Sequence, residues 1–252
     1  MSRGRLTRAA LLAFLLAAVV AGGARAALVA VNDIVLHADG GFQPHKLPRH
    51  RFAPINFQGF VEIAAKDGGK PVALEEAVVD FDRDGRLSAG GLPVCPPERI
   101  AGLSPTAARQ ACSGAIVGSG KIEAVVDFQG APAPASSPLT IFNGPPLEGH
   151  PTVVLHARTP DPATPTVAIL VPIEQRRGEF RYRAILKVPQ IAGLGSITRV
   201  EVKVGRRFSA GGQRRSYVSA HCSDGILRTH GRFTFADGTI VDGSVEKPCT
   251  AS

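Results

Sequence analysis

The stretch "EFRYRAILKV", Glu179 to Val188, places Phe180, Tyr182, Ala184, Leu186 and Val188 on one side and Arg181, Arg183 and Lys187 on the other. Successive side chains of an extended chain point to opposite faces, so a period of two with one apolar side marks a half-buried β-strand. "ITRVEVKVGRRF" repeats the pattern, with Val200, Val202 and Val204 alternating with Arg199, Glu201 and Lys203. Further strands are expected over residues 57–64, 74–81, 120–128, 151–157, 166–172, 216–222, 232–236 and 239–245. Glycine and proline clusters such as Asp67-Gly68-Gly69, Gly144-Pro145-Pro146 and Ala236-Asp237-Gly238 separate them. One segment breaks the period. In "SPTAARQAC", Ser104 suits an N-cap and Pro105 the first helical position, so a short helix should run up to Cys112.

The fold expected is therefore all-β, an antiparallel β-sandwich-like domain with one short helix and two local disulfides. The chain contains no tryptophan, so the immunoglobulin signature is missing. "GAPAPASSP", Gly130 to Pro138, reads as a long surface loop; otherwise it joins two β subdomains within residues 27–252. "AVVDF" occurs twice, at Ala77 to Phe81 and Ala124 to Phe128, which indicates two similar strands rather than a duplicated domain.

Residues 1–26 carry Arg3, Arg5 and Arg8, an apolar run from Ala9 to Val20, and a small-residue exit at Ala24-Arg25-Ala26. These are the three parts of a cleaved secretory signal, and the apolar run is shorter than the roughly 20 residues a membrane helix needs. Removing it takes four arginines and no acids, leaving 25 Lys+Arg against 21 Asp+Glu and lowering the net charge from +8 to about +4. The remaining chain is only mildly basic, which argues against specific nucleic-acid recognition. No membrane span is expected after cleavage, and the location should be secreted or cell-envelope associated.

All four cysteines, Cys95, Cys112, Cys222 and Cys249, lie beyond the signal, as expected for disulfides in an oxidising compartment. Of three possible pairings the local ones, Cys95 with Cys112 and Cys222 with Cys249, are favoured because each closes a short segment within one half of the chain. Zinc would require tighter spacing, and no Cys-x-x-Cys pair exists.

"DFDRDGRLSAGG", Asp80 to Gly91, has the front of a calcium loop. Asp80, Asp82 and Asp84 supply oxygens at the first, third and fifth places, Gly85 the turn, and Arg86 the carbonyl. Gly91 stands where a bidentate carboxylate belongs, and no helices flank the loop. The simpler reading puts Ala77, Val79 and Phe81 on a buried face, Asp80 and Asp82 on a solvated one, and a turn at Asp84-Gly85. Calcium at the Asp80–Gly85 loop is the one cofactor the pattern offers. In "HADGGFQPHKLPRHR", His37, His45 and His50 stand among Lys46, Arg49 and Arg51, a solvated basic loop unsuited to a cation. Arg176, Arg177, Arg206, Arg207, Arg214 and Arg215 could gather at loop ends and attract an acidic envelope polymer. No Gly-x-Ser-x-Gly elbow occurs.

The ordered landmarks "GLPVC", "ARQACSGAIVGSG", "IFNG", "RRSYVSAHC", "FTFADGT" and "KPC" resemble a group of exported β-rich proteins of high-GC actinobacteria with no assigned activity. The resemblance covers most of the chain after the signal and implies export and the two local cysteine pairs. The function expected is a non-catalytic binding or structural module at the cell surface or outside the cell. The alternatives are a secreted hydrolase with a site assembled from distant residues, and a weak calcium binder.

Overall fold

A computed structural model describes residues 25–158, 166–189 and 195–252, so the expected signal lies outside the described residues apart from Arg25 and Ala26. β1 (Ala27–Val31) and β2 (Ile34–Gln43) form a hairpin, the short strands β3 (Lys46–Leu47) and β4 (Ala53–Pro54) follow, and β5 (Asn56–Ala65) and β6 (Leu74–Asp82) come next. After β7 (Gly85–Leu87) the chain forms a single turn of 3-10 helix and then α1 (Pro105–Ala111). A long hairpin, β8 (Ile116–Phe128) and β9 (Ala131–Asn143), precedes β10 (Thr152–Arg158), β11 (Thr166–Gln175), β12 (Phe180–Lys187) and β13 (Ser196–Val204). The short strands β14 (Arg207–Ala210), β15 (Gln213–Ser216) and β16 (Val218–Ala220) lead to β17 (Ile226–Phe235), β18 (Ile240–Pro248) and β19 (Thr250–Ala251).

Twelve of these strands make one antiparallel sheet in the order β1-β2-β5-β13-β8-β9-β10-β11-β12-β6-β17-β18. β11 turns the corner, because Thr166 to Pro172 pair with β10 whereas Ile173 to Gln175 pair with β12. Two walls therefore face each other as in a sandwich, yet both belong to one sheet. The free edges meet where Arg25 and Glu246 exchange backbone hydrogen bonds of 2.9 and 3.0 Å, so the sheet is nearly closed into a barrel. This contact covers part of the unpaired edges that invite aggregation.

One end of the barrel is filled by Ile34, Leu36, Ile63, Phe233, Phe235 and Val241. At the other end Phe42, Leu47, Ala220 and the Cys222–Cys249 disulfide pack together beneath β3, β4 and β16. The second disulfide, Cys95–Cys112, clips residues 95–115 onto the outer wall, where Ile100 and Ala108 cover Phe142 and Val154. α1 begins as its sequence requires, with Ser104 Oγ accepting the Ala107 N–H at 3.2 Å and Pro105 following.

Three expectations are corrected. "GAPAPASSP" is a turn and a strand rather than a loop: β9 pairs with β8 from Phe128↔Ala131 to Lys121↔Pro138, while its pairing with β10 starts only at Leu139. Residues 131–138 are thus an edge, where proline removes no ladder hydrogen bond that a neighbour needs. The "HADGG" stretch is likewise part of β2, paired with β5 from Ile34↔Ala65 to Gln43↔Asn56. Glycine suits it, since a Cβ at Gly40 would lie 2.7 Å from the Gln58 carbonyl oxygen. Finally, Ala77, Val79 and Phe81 do face inward, but Asp80 and Asp82 are buried rather than solvated.

Candidate ligand-binding lumen

Between the two walls lies a cavity of about 450 Å³, of the size that holds a small molecule. Its lining is overwhelmingly apolar and comes from most of the sheet: Leu36, Phe57, Val79, Leu155, Ile169 and Val202 sit on β2, β5, β6, β10, β11 and β13. The period of two that builds the strands also builds the cavity, because each inward apolar residue alternates with an outward polar one. Small residues at inward positions, among them Ala38, Ala124 and Ala184, leave the middle open.

The outer faces of the same strands are charged. Glu62 of β5 bonds Arg199 of β13, Arg199 also meets Glu201 at 2.6 Å, and His37 of β2 meets Glu62 at 2.9 Å. On the opposite wall Arg183 grips Asp80 through two 2.7 Å hydrogen bonds, and Arg232 bonds Asp242 at 2.8 Å. A membrane-spanning barrel has the reverse arrangement, an apolar belt outside and a polar interior. Among the described residues no helix is long and apolar enough to cross a membrane.

Charged groups touch the lumen near its disulfide-capped end. Lys247, on the inward face of β18, holds Asp39 of β2 at 2.6 Å, and Asp82 and Arg228 lie nearby on the cavity wall. Lys247 and Gly40 N–H hold the Asp39 carboxyl below its usual value against the opposing effect of burial, which is the largest single influence. At Asp82 burial dominates and pushes the carboxyl up, although it accepts the backbone N–H groups of Asp84 and Arg228 at 2.8 Å each.

The aspartates of the calcium-like loop diverge. Asp80 is bound to Arg183, Asp82 to backbone N–H groups, and Asp84 to Ser223 N–H at 2.6 Å with His221 at 3.4 Å. Arg86 pairs with Ser219 of β16 in a small three-stranded sheet, and its guanidinium lies 4.4 Å from the Phe52 ring centre. Among the described residues no group of three His, Cys, Asp or Glu side chains is placed to hold a metal ion. Gly91 has its own reason to be glycine. Its φ is +91°, and a Cβ there would lie 2.4 Å from that of Ala210.

Four of the arginines of the expected basic patch lie on or beside the β14–β15 hairpin and two at the β11–β12 turn. Arg206 is tied to the Ile116 carbonyl at 2.9 Å, Arg215 reaches the Gly90 carbonyl at 3.4 Å, and Arg207 and Arg214 are exposed on the β14–β15 hairpin. Arg176 lies 3.7 Å from Glu174, beside exposed Arg177 at the β11–β12 turn.

Sequence reasoning missed two polar clusters. Ser223, His221 and Asp84 gather beside the Cys222–Cys249 bridge, and Ser223 Oγ and His221 Nδ1 lack hydrogen-bond partners among the described residues. Neither the serine nor the histidine lines the lumen. The other is His156 of β10, wholly buried beneath the clipped segment with neither ring nitrogen hydrogen-bonded among the described residues. Burial pulls its pKa down; backbone at Ile100 and Leu103 pulls the other way without forming a good hydrogen bond.

The unfolded chain should therefore protonate this histidine near its ordinary value of 6.5, before the folded protein does. Stability should be full above that pH and fall as pH drops through it. Urea titrations from pH 7.5 to 5 should show this decline in the parent and a flatter profile in His156→Leu. Equal slopes would show that the ring contributes nothing.

Fold and lumen together define the class of protein: an antiparallel, disulfide-bonded β-barrel with a charged exterior and an apolar interior. Comparison with known protein families, curated proteins and solved structures gives no match.

Proposed function

We propose that the protein is an exported, non-catalytic carrier or binding module that encloses an apolar ligand in its barrel lumen. The observation that carries this reading is the 450 Å³ cavity lined by inward apolar side chains of most of the sheet, beneath an exterior of ion pairs. A close-packed interior leaves few voids larger than a water molecule, so a cavity of this size points to a guest. Export is supported by the two disulfides, which persist in oxidising surroundings. The serine and histidine of the Ser223, His221 and Asp84 grouping lie off the cavity, which disfavours that grouping as a catalytic site.

The fluorescent apolar probe phenylnaphthylamine should bind saturably and be displaced by a long-chain alcohol. Ala184 faces the lumen and its neighbour Ile185 does not, so Ala184→Trp should weaken binding by about tenfold or more. Ile185→Trp, on the outer face, should leave affinity unchanged. The proposal fails if the parent does not bind the probe, or if a folded Ala184→Trp binds it as the parent does.

A further inference from the structure

The structure assigns to the lumen a long-chain amphiphile with an anionic oxygen head, a carboxylate held by Lys247; this depends on the lumen being a binding site. Lys247 is placed beside a stretch of the wall without strand pairing across it among the described residues. β1 pairs with β2 only as far as Ala27↔Ala38, so from Asp39 onward β2 is hydrogen-bonded to β5 on one side and to no strand on the other among the described residues, with β18 alongside it. Across this gap the Lys247 ammonium meets Asp39, and both residues line the cavity. The Lys247 side chain is 15% exposed and that of Asp39 34%, so the pair sits at a mouth between lumen and solvent. A tail in the apolar interior would leave its head here.

The hydrogen-bonding capacity left at the mouth selects the head. Asp82 lends its two oxygens to the backbone N–H groups of Asp84 and Arg228, and Asp39 Oδ1 takes both Gly40 N–H and Lys247. The Arg228 guanidinium is turned to Asp224, Glu179 and Glu246. An ammonium has three N–H donors, and Lys247 has Asp39 as its one partner among the described residues. Asp39 Oδ2 also has no partner among the described residues, but it belongs to the more exposed side chain of the pair; on the better-buried one the spare capacity is the Lys247 ammonium's, which an oxyanion matches and an amine or an alkane terminus does not. Charge-assisted hydrogen bonds are about twice as strong as neutral ones, which gives the head a share in specificity.

The test compares palmitate with hexadecanol, which differ in their heads, as competitors for phenylnaphthylamine on the full chain. The parent should prefer palmitate. Lys247→Met, which keeps most of the side chain's length, should weaken palmitate about tenfold and leave hexadecanol within twofold. Asp39→Asn should tighten palmitate a few-fold by releasing the ammonium, and it tests the assignment independently if the lysine variant folds poorly. If palmitate and hexadecanol compete equally in parent and variants, the head assignment is overturned while the lumen stands. If neither competes and the probe does not bind, the lumen reading itself falls.

Discussion

Replacing Cys222 and Cys249 together by serine is expected to lower the unfolding free energy by about 3.5 kcal/mol. The bridge closes a loop with a sequence separation of 27 residues, and the chain-entropy relation gives that figure for a loop of this length. For a domain of this size it corresponds to a fall in Tm of roughly 10 °C. The relation gives about 3 kcal/mol for Cys95–Cys112, whose separation is 17. Position widens the difference. Cys95–Cys112 fastens a segment to the outer wall, whereas Cys222–Cys249 belongs to the cluster with Phe42, Leu47 and Ala220 that covers one end of the barrel. Its loss should also loosen that cap and speed probe exchange from the lumen. Thermal melts with and without reducing agent provide the measurement; an unchanged Tm would show that the bridge constrains nothing.

How far the fold was legible depended on whether its causes were local. β12 and β13 were readable because alternation is a property of neighbouring residues, and the helix was readable because Ser104 and Pro105 stand at its start. β9 was hidden by Pro132, Pro134 and Pro138, which look like a loop until β10 is seen to stop at Ala157↔Leu139 and leave that half as an edge. β2 was hidden by Gly40 and Gly41, and the need for glycine at Gly40 depends on Gly59 and Gln58 of a strand further along the chain. The lumen could not be read at all. An inward valine looks the same in sequence whether it packs against the opposite wall or stops short of it, and only the closure of twelve strands decides which. The paired cysteines were legible, but the cap they hold in place was not.

The aspartates at 80, 82 and 84 show the same division. Their spacing suggested one shared ion, but strands far apart in the chain supply each with a different partner. Asp84→Ala is accordingly expected to cost about 3 kcal/mol, at the upper end of the range for leaving a buried hydrogen-bond donor without its acceptor. Its carboxylate is buried, accepts Ser223 N–H and faces His221, while its own carbonyl accepts the His221 N–H at 3.1 Å. The truncated residue would leave the Ser223 donor without its acceptor beneath the cap. Asp84→Asn, whose amide oxygen can still accept that hydrogen bond, should lose less. The loss should be the same in calcium as in EDTA, since it comes from these protein contacts; a Tm that rises with calcium in the parent but not in Asp84→Ala would restore the metal reading. Asp84 and the Cys222–Cys249 bridge hold the same five residues, Ala220 to Asp224, so their effects should not add. With the bridge already removed this segment is freer to move away from Asp84, and a double-mutant cycle should give a coupling of about 1 kcal/mol. Strict additivity would mean that the carboxylate and the disulfide stabilise separate parts of the barrel end.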